Sequence, residues 1–253
     1  MTSYAFHRQF LEPADTGERT FAHHYLLYAS EGAFRLETDE RSWLLPSHRA
    51  AFIRANTRIR VRVAAPATSA SVLFDAVDNA FPSLQDDCAV FRVTPLIREM
   101  VLYAARWNED SSAADPAAAP FFQSLGYVVS EGAAQPEALW FPRATSNDLR
   151  RALEFTLSSL AEPLSLADVA TAASMSERTL NRRFAEELSM TWTEFLQRAR
   201  VVHATEHVID GRKSLATIAY DFGFASPSKF AHAFKLIHGE TPRRYRERHK
   251  RLA

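Results

Sequence analysis

Ser176 and Ser226 stand fifty positions apart, and each opens a stretch that repeats the other's logic. After Ser176, the residues Leu180, Phe184 and Leu188 recur at i, i+4 and i+8, the spacing of one buried helix face. After Ser226, Phe230 and Phe234 do the same. Each serine is preceded by a short apolar helix pattern and a turn: Leu166 onward with Ser174-Met175 in the first copy, Leu215 to Ala219 with Gly223 in the second. The chain therefore predicts two helix-turn-helix units. Residues 191–210 between them read as one amphipathic helix, about 30 Å long at about 1.5 Å per residue. Since one turn of DNA is about 34 Å, a connector of this length suits two helices placed in successive major grooves. A single such unit is more often an ordinary solvated helix pair; the repetition with its spacing is what points to DNA.

The helix starts carry their own chemistry. Thr145-x-x-Asp148, Ser165-x-x-Asp168 and Thr191-x-x-Glu194 put a hydroxyl at the N-cap and a carboxylate at the third helical position, where both satisfy free N–H groups. Ser214 and Ser226 are further expected caps, and Pro227 and Pro242 stand at first helical positions, where a missing N–H costs nothing. Six or seven short helices follow from Thr145, with no strand signal among them. In the first unit the buried stripe forces Arg178, Asn181 and Arg182 to the opposite face. Arg can bond guanine O6 and N7 bidentately and Asn can do likewise with adenine, both in the major groove.

The first ~95 residues alternate with period two between turn signals, as strands do. Arg58 to Val63 is the clearest case, with three apolar side chains on one face and three arginines on the other. Further strands are expected at 21–29, 33–37, 42–45, 50–54, 71–74 and 89–93, which amounts to a sandwich or barrel. From Pro95 the period turns helical through Trp107; the run SSAADPAAAP at 111–120 reads as a loop or linker, and 121–134 as a helix.

Composition removes whole classes of activity. Seven glycines with no G-x-G-x-x-G or Walker pattern argue against nucleotide-driven chemistry. One cysteine, Cys88, rules out an internal disulfide or a thiolate zinc site, and as a lone thiol it is expected to be buried. No secretory signal or membrane-length apolar run is legible, so a cytoplasmic location is the default expectation. The formal net charge of zero conceals a split: residues 1–145 hold 13 Lys+Arg against 17 Asp+Glu, and residues 146–253 hold 17 against 13. A basic half joined to an acidic one fits a nucleic-acid module attached to something else.

The run GFASPSKFAHAFKLIHGETPRRYR, from Gly223 to Arg246, resembles the C-terminal signature of the AraC/XylS transcription regulators, and the likeness spans about residues 146–251. Leu180-x-Arg182-x-Phe184, Arg200 and Ala204 also fit that family's pattern. The resemblance implies an α+β two-domain chain. Its expected parts are a cupin-like β-sandwich or barrel with accessory helices over 1–110, an accessory helix and linker region over 111–145, and an all-α double helix-turn-helix domain over 146–253. It puts base contacts at Arg178, Asn181 and Arg182 and, in the second unit, at Pro227, Ser228, Ala231 and His232. Because Ala231 has no polar group and Pro227 and Ser228 offer little, Ser228 and His232 are the candidates kept there, and the first unit is expected to supply most sequence readout. Backbone contacts are expected from Ser176, Thr179, Ser226, Lys229, Arg243 and Arg244. Ser189 stands where the family usually has a helix-ending glycine.

For the N-terminal domain the resemblance implies a sensor, with His24, Tyr28 and Arg60 as candidate ligand contacts. Adjacent His23 and His24 point to opposite faces of a strand, so no metal site or cofactor is expected. The implied function is a sequence-specific regulator, an activator responding to a small-molecule effector, with promoter DNA and RNA polymerase as partners; it admits a homodimer through the N-terminal domain and no membrane. Two other classes stay open: a cupin-type isomerase or dioxygenase fused to a DNA-binding tail, and a ligand-independent repressor. No metal-ligand set or nucleophile–base pattern favours the enzyme, and the chain is read as a non-enzyme.

Overall fold

The computed structural model describes residues 2–63, 66–76, 86–160 and 162–250. Two compact units emerge, residues 1–139 and 140–253. The first contains strands β1 (Tyr4–Phe10), β2 (Ala14–Arg19), β3 (His24–Glu31), β4 (Ala33–Glu37), β5 (Arg41–Pro46), β6 (Arg49–Ile53), β7 (Ile59–Val63), β8 (Ala67–Phe74) and β9 (Cys88–Arg92). Helices α1 (Pro95–Ala104), α2 (Glu109–Ala114) and α3 (Ala118–Ala133) follow. One antiparallel sheet has the order β1-β8-β3-β6-β9, and the strands β5-β4-β7-β2 line up in the other.

Burial explains which sheet lies inside. β6 is buried at all five positions and β8 at seven of its eight, because one face of their sheet packs on α1 and α3 while the other faces the second sheet. Strands covered on both faces lose the in-out alternation and bury even Arg49, Ser69 and Ser71, whereas β7, on the outer sheet, alternates Ile59, Val61 and Val63 inward with Arg60 and Arg62 outward. Leu26, Tyr28, Phe52, Val72, Phe74 and Phe91 form the helix-side core with Ile97, Val101, Phe122 and Val129. The approach is close. A Cβ added at Gly132 of α3 would fall 2.6 Å from the Phe91 ring, so only glycine lets the helix settle on β9.

The expected sandwich with accessory helices is present, with differences in detail. Residues 111–120 are mostly helical rather than loop: Asn108 caps α2 in a reciprocal box with Ser111, and α3 begins at Ala118. The helix starting at Pro95 stops at Ala104, short of Trp107, whose ring is nevertheless buried and whose Nε1–H donates to Asp115 at 2.8 Å. Strands β1 and β2 lie outside the expected set. β2 carries a bulge between Asp15 and Glu18, where Gly17 has φ +65°.

The second unit begins with the short strand β10 (Trp140–Pro142) and continues as α4 (Asn147–Ser158), α5 (Leu166–Ala172), α6 (Glu177–Leu188), α7 (Trp192–Asp210), α8 (Leu215–Asp221), α9 (Pro227–His238) and α10 (Pro242–Lys250). Two apolar clusters stabilise it. Leu180, Phe184, Trp192, Phe195 and Ala199 belong to the first, with Leu149 and Val169; Val201, Ala204, Val208, Ile218, Phe230, Phe234 and Tyr245 belong to the second. The long helix α7 thus gives its first half to one core and its second half to the other. No helix among the described residues is long and apolar enough to cross a membrane.

Candidate nucleic-acid interface

The two bihelical units match each other bond for bond. In the first, Ser174 turns at φ 58° and its N–H donates to Thr171 at 3.0 Å, after which Met175 N–H donates to the Ala170 carbonyl at 2.8 Å. In the second, Gly223 turns at φ 71°, its N–H donates to Tyr220 at 3.0 Å, and Phe224 N–H donates to Ala219 at 2.9 Å. Ser176 Oγ then accepts from Thr179 N–H at 3.2 Å to start α6, and Ser226 Oγ accepts from Lys229 N–H at 3.3 Å to start α9. Both helices end on a left-handed residue, Ser189 at φ 52° and Gly239 at φ 74°. Ser189 therefore takes the glycine-type helix stop without being glycine, a conformation that favours residues lacking a Cβ.

The apolar stripes fix the outward faces. Leu180, Phe184, Phe230 and Phe234 are buried, and Arg178, Asn181 and Arg182 are all exposed on the other side of α6. Arg182 lies 3.9 Å from Glu186, with both side chains more than half exposed, so the guanidinium is held only weakly. On α9, Ser228, Lys229 and His232 are exposed and Ala231 is half-buried. Arg243 pairs with Glu247 at 3.0 Å across one turn of α10, and Arg244 is exposed. Arg246 is used differently: its Nε donates to the Val208 carbonyl and its Nη2 to that of Lys213, both at 2.9 Å, tying α10 to the end of α7.

The capping boxes at Ser165 with Asp168 and at Thr191 with Glu194 form as expected. The box expected at Thr145 does not: Ser146 is the N-cap of α4, accepting from Leu149 N–H, and Asp148 bonds Arg151 instead. The carboxylate that completes this helix start comes from α6. Glu187 accepts from Thr145 N–H and Oγ at 3.0 and 2.7 Å, from Ser146 N–H and Oγ at 2.8 and 2.6 Å, and from Arg183 at 3.2 Å. Burial alone would raise its carboxyl; the Ser146 and Thr145 hydrogen bonds outweigh that and hold it down at about 2. No local pattern signals this role of Glu187, because its partners at the start of α4 lie more than forty residues away. Arg200 on α7 matched the family pattern without a stated role. Its Nη1 donates to the Gly223 carbonyl at 2.8 Å, and a Cβ at Gly223 would meet its guanidinium at 2.8 Å.

A helix-turn-helix domain profile matches residues 169–248, a span that takes in both turns, both stripe-bearing helices and the connector. The C-terminal unit carries an AraC-type helix-turn-helix domain. Such a domain is the DNA-binding part of a transcriptional regulator. The chain is similar to the transcriptional regulator NimR of Escherichia coli K12, with 25% identity over 221 residues, covering 87% of this chain and 78% of that protein. A helix-turn-helix regulator of Staphylococcus aureus is 35% identical over 85 residues, covering 34% of this chain, which spans only 11% of that much longer relative. Among solved structures, an AraC-type regulator from Chromobacterium violaceum aligns at 25% identity and a TM-score of 0.40, over 42% of this chain and 95% of its own.

The candidate sensor residues do not converge. Tyr28 lies in the helix-side core. His24 Nδ1 accepts from Ala55 N–H at 3.1 Å, and the ring sits 5.5 Å from Phe52, a member of the same core. Arg60 is on the outer face of β7, where it grips Asp15 through Nε and Nη2 at 2.6 to 3.0 Å and holds that carboxyl well below the usual range. A cavity of about 260 Å³ lies instead between the two sheets, walled by Phe6, Phe10, Tyr25 and Phe34, with Arg8 and Arg19 and, among the described residues, no carboxylate in its lining. Cys88 is buried, which pushes its thiol up and away from reactivity.

Proposed function

We propose that this protein is a sequence-specific transcriptional regulator that reads two successive major grooves through α6 and α9 and responds to a small molecule held by its N-terminal unit. The observation that carries the reading is the repeated turn, cap and stripe, with the caps and stripes set fifty residues apart and the two units packed on the two halves of α7. In this reading Arg178, Asn181 and Arg182 contact bases, joined by Ser228 and His232. Ser176, Thr179, Ser226, Lys229, Arg243 and Arg244 meet the backbone. Footprinting on a duplex selected from a random pool tests it directly: protection over two turns of one face is expected. Arg182→Ala should cost about 1–3 kcal/mol and relax preference at a single base pair; unchanged discrimination between sites would remove Arg182 from the reading set.

The inter-sheet cavity supports the sensing role, in place of His24, Tyr28 and Arg60. Its volume is near the small end of ligand pockets, which run to about 300–1,000 Å³, and its walls join aromatic rings to Arg8 and Arg19 with no carboxylate among the described lining residues. That chemistry fits an apolar ligand with one anionic group. Medium-chain and aromatic carboxylates should raise the melting temperature, their uncharged amides should not, and Arg8→Met should erase the difference. Equal shifts from acid and amide would contradict an anionic ligand. Activation through RNA polymerase, and a homodimer through the N-terminal unit, belong to the same reading; a reporter promoter repressed by the protein would reverse its sign.

A further inference from the structure

A groove of about 540 Å³ runs between α7 and the start of α9, lined by Gln197 and Arg200 on one side, Lys229 and His232 on the other, and Phe224 and Ala225 at its floor. We infer that this groove seats the sugar–phosphate backbone of the duplex, so that α7 contacts DNA as well as spacing the two units. The inference rests on the DNA-binding reading above and adds to it a site on the connecting helix.

Three observations carry it. Among the described residues the lining holds two permanent cations and an imidazole but no carboxylate, although acidic residues are as numerous as basic ones in the whole chain. Phosphate is the ligand such a rim attracts, and the apolar floor suits the deoxyribose beside it. The Arg200 guanidinium is oriented from within the protein: Nη1 is fixed on the Gly223 carbonyl, while Nε is buried with no hydrogen-bond partner. Finally, the groove is continuous with the exposed face of α9, since Ser228 and His232 belong both to its lining and to the candidate base-contacting set. Gln197 is exposed at the opposite wall and can donate its amide to a phosphate oxygen held there.

Gln197→Glu tests the site, because Glu and Gln have similar helix propensities and the position is exposed, so the fold should be kept. The full-length protein is titrated against a duplex selected from a random pool and against a random-sequence duplex of the same length. The variant should bind both more weakly, about tenfold at low salt and less at high salt, since the new charge repels phosphate whatever the bases. Single phosphates are then replaced by uncharged methylphosphonate. One position should respond with opposite signs, weakening the parent protein and strengthening the variant. Parent-like binding of both duplexes by the variant, or no position of opposite sign, would overturn the inference. If the parent shows no preference for the selected duplex, the sequence-reading proposal fails while the random duplex still decides the groove; if it binds neither duplex, both fail.

Discussion

Phe234→Ala is expected to yield a protein that protects only one turn of a duplex. Phe234 is fully buried, its ring 5.6 Å from Phe230, 5.2 Å from Tyr245 and 4.3 Å from His238, at the centre of the second apolar cluster. Removing a buried phenylalanine costs about 3–5 kcal/mol through lost transfer energy and the cavity left behind. A three-helix unit of this size has little more than that to lose. None of the first cluster's residues belongs to the second, so α5 and α6 should stay folded while α8, α9 and α10 loosen. Calorimetry should show a low-temperature transition absent from the parent, and the footprint should lose the half contributed by α9. Phe184→Ala is the mirror experiment and should remove the other half. If either substitution abolished all protection at once, the two units would be a single cooperative reader.

The second large effect is expected from Glu187→Gln, at about 2–3 kcal/mol. The carboxylate accepts four hydrogen bonds from the start of α4 and one from Arg183; the neutral amide offers one acceptor oxygen and sets an N–H₂ against N–H and O–H donors. The pH dependence has a definite sign. The folded carboxyl stands at about 2 against an ordinary value near 4.5, so its contribution is present in full above pH about 4.5 and is lost as pH falls toward 2. The parent's stability against urea should fall as pH drops through that window, and the variant should show a smaller slope there. Equal slopes would mean that Glu187 ionisation contributes nothing to folding.

Where a local pattern and a tertiary role coincide, the fold was legible. Leu180, Phe184 and Leu188 lie at helical spacing behind a capping serine, and nothing distant competes with that arrangement. β7 was legible because an outer strand has one wet face, which leaves the alternation of Ile59, Val61 and Val63 intact. β2 was not: its residues are almost all polar, its bulge breaks the period, and it is secured on β7 by Asp15 with Arg60. α2 hid in a Ser/Ala-rich run because its one organising feature, the reciprocal bonds of Asn108 and Ser111, is short and weakly distinctive. The inter-sheet cavity draws its walls from several strands and both sheets, and Glu187 reaches across forty residues to α4. Such features arise from topology, which no window along the chain contains.

The shared helix α7 sets a rule about change. The exposed side chains of α6 and α9, such as Arg178, Asn181, Arg182, Ser228 and His232, can be exchanged one at a time with little disturbance to the cores behind them, so in the proposed reading either unit is free to acquire a new preference. The length of α7 has no such freedom. Its residues Ala199 and Val201 belong to different cores, and one residue added between them would rotate the second core about 100° against the first and displace it about 1.5 Å. Vocabulary is adjustable in this molecule, while phase is fixed by a single uninterrupted backbone.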